Sequence, residues 1–115
     1  MSFSINNVAN SESYGLYYKN EIRVLLESHV EFIKNHSSTT VERVMSSLTY
    51  KYEGDFYGLL MALKIPIEYH WITMRINGYS SPTEMSGEKI AFLKPDFTLI
   101  EQIINIHRSA NSVNK

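Results

Sequence analysis

The sequence predicts a helix-rich α+β fold: a small strand–helix–helix–strand centre held between flanking amphipathic helices and polar ends. Two observations give the helices. Apolar residues recur at three- and four-residue steps over Lys19–Asn35, and they do so again after Asp96. A third gives the sheet. Two short segments, Leu48–Glu53 and Ile90–Leu93, carry strand signals and are bounded by turn residues.

Each element has a local reason. Ile22, Leu25, Leu26, Val30 and Ile33 form one helical stripe. Thr39, with Glu42 three residues on, reads as a capping box opening a two-turn helix with Val41, Val44 and Met45 on its apolar side. Leu48, Tyr50 and Tyr52 alternate with Thr49, Lys51 and Glu53, the two-residue rhythm of a half-buried strand. Gly54-Asp55 then supplies a turn and a helix cap for Phe56–Lys64. Pro66 ends that helix and suits the first turn of another, which closes at Asn77-Gly78. Ser80-Ser81-Pro82 is loop and Gly87 a turn. Ile90–Leu93 is a strand ended by Pro95. Asp96 caps a last helix whose face is Phe97, Ile100, Ile103, Ile104 and His107. The division that follows is 1–46 as an N-terminal arm with helices, 47–95 as the centre, and 96–115 as a C-terminal helix and tail.

Composition removes several function classes. With 115 residues and a formal charge of −1, the chain has the size of one domain and lacks the basic excess of a nucleic-acid module. It has no cysteine, so a disulfide framework and a thiolate metal site are both excluded. His29, His36, His70 and His107 are scattered, and no two stand four residues apart as in a helical zinc pair. There is no Gly-x-Ser-x-Gly elbow and no phosphate-binding glycine loop. Neither catalysis nor a cofactor is expected. No apolar run reaches bilayer length, and the start shows no export pattern, so the expectation is a protein kept in the cytosol unless an assembly carries it out.

The central series resembles a LysM domain, a βααβ unit. It runs Tyr50-Lys51-Tyr52-Glu53-Gly54-Asp55, a helix containing Leu59, Leu60 and Ala62, a second helix ending Asn77-Gly78, then Pro82, Gly87, Lys89–Leu93 and Pro95. The family has Thr or Ser after Gly-Asp, where this chain has Phe56. Glu68-Tyr69-His70-Trp71-Ile72 through Asn77-Gly78, Ser81-Pro82-Thr83, and the ending Lys94-Pro95-Asp96 are similar to the LysM-like domains in small baseplate proteins of contractile-tailed phages, wedge-joining proteins among them.

That resemblance implies a structural virion protein, built into a tail baseplate within the host cytoplasm, whose partners are other baseplate or tail proteins in multiple copies. Neither nucleic acid nor membrane is implied. Tyr14, Tyr17, Tyr18, Trp71, Phe97, Ile100 and Ile104 are the candidate partner-binding residues, because exposed aromatics and unpartnered helix faces serve as anchors. The flanking helices are expected to bury their apolar faces at least partly on another chain, the alternative being that they pack on each other. A second reading is a module binding N-acetylglucosamine polymers such as peptidoglycan. The family's sugar groove would fall on Asp55, Phe56, Tyr57, Asn77, Gly78, Tyr79 and Ser80.

Overall fold

A computed structural model describes residues 19–113 of the chain. The fold is a small α+β architecture dominated by helix. In chain order it has α1 (Asn20–Ser28), α2 (Val30–Asn35), β1 (Thr40–Arg43), α3 (Ser46–Lys51), α4 (Phe56–Ala62), a 3-10 turn at Ile67–Tyr69, α5 (His70–Ile76), a second 3-10 turn at Pro82–Glu84, β2 (Ala91–Lys94) and α6 (Phe97–Val113). The strands pair antiparallel, with Val41 opposite Leu93 and Glu42 opposite Phe92.

The Lys19–Asn35 stripe is helical, with a break at His29. The Leu25 carbonyl accepts from the Ser28 hydroxyl at 2.6 Å and from His29 Nδ1 at 2.9 Å, while the His29 amide donates to Leu26. Two side chains have displaced the backbone donor that would continue the helix. After α2, the Thr39 hydroxyl donates to the Ile33 carbonyl and closes the end of that helix.

Two assignments of the sequence analysis are corrected here. The segment expected to be a helix after Thr39 is strand β1, since Thr39-Thr40-Val41 is β-branched throughout and finds its partner in β2. The expected strand Leu48–Glu53 is instead mostly helix α3. Leu48 and Tyr52 satisfy both periods, being two steps apart on a strand face and one turn apart on a helix. Thr49 and Tyr50 decide between them: Thr49 is buried, with its hydroxyl at 2.7 Å from the Gly87 carbonyl, and Tyr50 is exposed. The sheet therefore encloses three helices, not two.

The middle of the chain is as the turn residues predict. The Asp55 carboxylate accepts from the Gly58 amide at 3.0 Å and caps α4. Helix α5 ends with Gly78 at φ +84°, its amide bonded to Arg75, and the Tyr79 amide reaching back to Met74. That is the Schellman closure, which needs a left-handed residue and finds glycine. Helix α4 ends in the same way, with the Ile65 amide on Leu60, but the left-handed position is Lys64 at φ +64°. A side chain there costs free energy that glycine does not. We expect Lys64→Gly to raise stability by about 0.5–1 kcal/mol, read as a higher denaturant midpoint at unchanged slope.

One core joins all the layers. It contains Ile22, Leu26 and Ile33 from the first two helices, Phe56, Leu59 and Leu60 from α4, Ile72, Met74 and Ile76 from α5, Phe92 from β2, and Leu99, Ile100 and Ile104 from α6. The flanking helices thus bury Ile22, Leu26, Ile33, Ile100 and Ile104 inside this chain, so at these positions they pack within the chain, the alternative named above. Ile22 and Ile100 are fully buried. These flanking helices pack on each other as well as on the centre. No helix among the described residues is long and apolar enough to cross a membrane.

Candidate functional site

Three surface regions bring together residues with recognition chemistry. The first surrounds the turn between α3 and α4. The Gly54 amide donates to the Met85 carbonyl at 3.0 Å, so the turn lies against the Tyr79–Met85 loop, the place where a sugar groove was expected from the resemblance. Phe56, however, points inward. It is 1% exposed and packs edge-on against Tyr79 and Phe92, with ring centroids at 5.2 and 6.0 Å. The space left among Val44, Phe56, Leu59, Tyr79, Met85 and Phe92 is about 10 Å³, too small for a sugar ring.

The other glycan candidates are also committed to the fold. Asn77 donates from Nδ2 to the carbonyls of Thr73 (2.7 Å) and Leu93 (2.9 Å), and its Oδ1 accepts from the Leu93 amide at 2.8 Å. Its amide thus occupies the place of a neighbouring strand residue on the outer edge of β2. Asp55 caps, Gly78 closes α5, and Tyr57 leans on the His70 ring at 5.7 Å. Ser80 remains an exposed loop residue whose amide donates to Glu84. The structure does not assemble these residues into a groove.

The second region is where α1 faces α5. The Arg23 guanidinium stands 5.3 Å over the half-buried Trp71 ring, and one turn further Arg75 is bidentate to Glu27, with both N···O distances 2.9 Å. The same guanidinium holds the Tyr79 carbonyl at 2.7 Å. This contact lowers the Glu27 carboxyl pKa below its ordinary value and raises that of Arg75, the direct hydrogen bond being the main cause of each. Trp71 therefore acts chiefly as a rung between helices. Arg75 thereby joins α1, α5 and the following loop.

The third region was missed. Leu25, His29 and Phe32 from α1 and α2 face Ile103, Ile106 and His107 from α6 across an apolar groove of about 560 Å³. Phe32 is 53% exposed and Ile106 70% exposed, and the His29 and His36 rings stand edge-on to Phe32 at 6.3 and 5.4 Å. Leu25, Ile103 and His107 belong to the helical faces already named, and the available signal for the rest was Phe32 and Ile106, apolar residues lying beside those faces.

Of the partner-binding candidates, Ile100 and Ile104 are core residues and cannot serve as surface anchors, which corrects that part of the set. Phe97 is half-buried, its ring stacked on Tyr69 at 4.1 Å. Tyr14, Tyr17 and Tyr18 lie outside the described residues.

His70 is the one histidine in the core. Its Nε2 lies 2.8 Å from the Ile65 carbonyl, which can only accept, so this nitrogen carries the hydrogen. Burial holds its pKa below the ordinary value of 6.5, outweighing the Ile65 bond and Glu68, which act upward. The unfolded chain then takes up a proton first as pH falls, so stability is full above about pH 6.5 and declines below it toward the folded value. We expect His70→Gln, which can still donate to Ile65, to flatten the fall in melting temperature between pH 7.5 and 5.5. Glu101, whose pKa burial raises, acts equally in both proteins and leaves the comparison intact.

Among the described residues, no group of three or more His, Cys, Asp or Glu side chains is placed to hold a metal ion. Compared with models of known families, with curated proteins and with solved structures, the chain matches none, so its reading rests on its own residues.

Proposed function

We propose that this chain is a structural component of a phage-type contractile-tail baseplate, a joining protein that works by protein–protein contacts and carries out no chemistry. The observation that carries the reading is the groove between α1, α2 and α6. It lies outside the strand–helix–strand centre, is lined by apolar groups, and exposes Phe32 and Ile106 where a partner would cover them. The motif series from Gly54-Asp55 through Asn77-Gly78 to Lys94-Pro95-Asp96 supports the same assignment through its likeness to phage LysM-like domains. In this reading the cross-braced core is a rigid block, and the groove helices present the contact surface.

Mass spectrometry of purified tailed particles from the source tests the proposal. The chain should be present at a fixed stoichiometry with baseplate proteins, and its absence from intact particles would overturn the reading. Against the peptidoglycan alternative, Phe56 is committed to the core and Asn77 to the edge of β2. Retention on insoluble peptidoglycan that depended on Tyr57 and Tyr79 would nevertheless restore it.

A further inference from the structure

The two outer edges of the sheet are not equivalent. Along β2, the Leu93 amide and carbonyl both bond the side chain of Asn77, so Leu93 directs its backbone away from β1. In an antiparallel pair, residues alternate between facing and turning away from the neighbouring strand. Leu93 is opposite Val41, and Ala91 is opposite Arg43, so Val41 and Arg43 turn their amides and carbonyls outward on the far side of β1. The bond from the Val44 amide to the Ile90 carbonyl, at 2.7 Å, fits the same alternation. Among the described residues these outward groups have no hydrogen-bond partner. One edge is closed by a side-chain amide and the other is open.

The surroundings of the open edge have a definite chemistry. Val41 is 65% exposed, and Met45, two residues past the end of β1, is exposed as well. On the helix side, a pocket of about 210 Å³ has Leu63, Ile65 and Phe92 in its walls and Glu42, Arg43 and Lys94 at its rim. Two cations against one anion leave that rim positive. No proline or bulge blocks the edge, and β1 ends one residue short of the exposed Met45–Ser46 step into α3.

We propose that the outer edge of β1 is an acceptor for one extended segment of another protein, added antiparallel as a third strand. Its backbone bonds Val41 and Arg43, one apolar side chain enters the Leu63–Ile65–Phe92 pocket, and a carboxylate neighbours Arg43 and Lys94. Main-chain bonds give such an addition its affinity, and the pocket selects alternate side chains. A second copy of β1 fits less well, because its helix-side residues are Thr40 and Glu42, and neither suits an apolar pocket. This inference is independent of the baseplate reading, since it concerns a different surface and any extended partner.

The test is an amide-resolved NMR titration of the full chain with capped synthetic heptapeptides. These alternate apolar and polar residues, with a central leucine flanked by either aspartate or lysine. The aspartate peptides should shift the Val41 and Arg43 amides and slow their hydrogen exchange at least tenfold, and the lysine peptides should bind several-fold more weakly. Val41→Pro removes only an outward amide, so the variant should melt as the parent does and bind no peptide. If it fails to fold, peptides N-methylated at alternate residues give the same information, because they lack the donors the edge requires and should not bind. Shifts confined to Phe32, Ile103 and Ile106, or no shift at millimolar peptide, would overturn the proposal. So would a concentration-dependent dimer abolished by Val41→Pro, which would assign the edge to a second copy.

Discussion

Replacing Asn77 by alanine should lower stability by about 2–4 kcal/mol, a large share of what a domain of this size possesses. The side chain holds three backbone groups at once: the Thr73 carbonyl within its own helix and both polar groups of Leu93 on β2. Alanine leaves both polar groups of Leu93 without their partner at a half-buried site, while the Thr73 carbonyl keeps the Asn77 backbone amide at 3.3 Å, and an unmet backbone group costs more than a made bond contributes. Asn77→Asp sharpens the test. It can still accept from the Leu93 amide, but it presents carboxylate oxygens to the Thr73 and Leu93 carbonyls, and the latter then has no donor. We expect the aspartate variant to recover none of the loss at neutral pH. Denaturant midpoints measure the cost, and loss of exchange protection at the Leu93 amide locates it. A change below 1 kcal/mol would mean that the amide bridge is incidental.

The second large effect concerns the helices that flank the centre. Ile22→Ala on α1 and Ile100→Ala on α6 should each destabilise the isolated chain by about 2–5 kcal/mol, because both side chains are fully buried in the shared core. Ile106→Ala, on the exposed wall of the groove, should change stability by about 0.5 kcal/mol or less. Thermal and denaturant unfolding of purified protein give all three values. If α1 and α6 depended on a partner for burial, the first two substitutions would be silent in the isolated chain. The double variant should also lose less than the sum of the singles, since both sites relax the same packing.

These outcomes separate what local sequence specifies from what it does not. The caps were legible because one residue type at one position carries the reason: Asp55 and Asp96 each accept an amide in the first turn of the following helix, and Gly78 takes the left-handed conformation. The amphipathic faces were legible because their periods are long. The strand β1 was not. Thr40–Arg43 is four residues, too short for a period to register, and its identity depends on a partner far along the chain. Leu48–Glu53 misled for the opposite reason, since a six-residue pattern fits both periods and only the burial of Thr49 settles it. Two of the glycan candidates have structural roles set by tertiary demand: the core takes Phe56 and the sheet edge takes Asn77. Phe32 and Ile106, the most exposed walls of the groove, went unread because they lie off the main stripes of their helices.

The antiparallel pair Thr40–Arg43 and Ala91–Lys94 has a kinetic consequence. Its strands are joined through the whole helical middle of the chain, residues 44–90, so forming the ladder means closing a loop of that length. The entropy of that closure rises only slowly with length, but it must be met before any ladder bond repays it. A helix such as α4 or α5 can form within its own segment, whereas β1 has nothing to pair with until β2 exists. On the ribosome, β1 emerges long before its partner, and its outward face carries valine. The sheet therefore forms after the helices it encloses, and its unpaired first strand is an early point of misassembly. Substitutions in the ladder should speed unfolding far more than they slow folding.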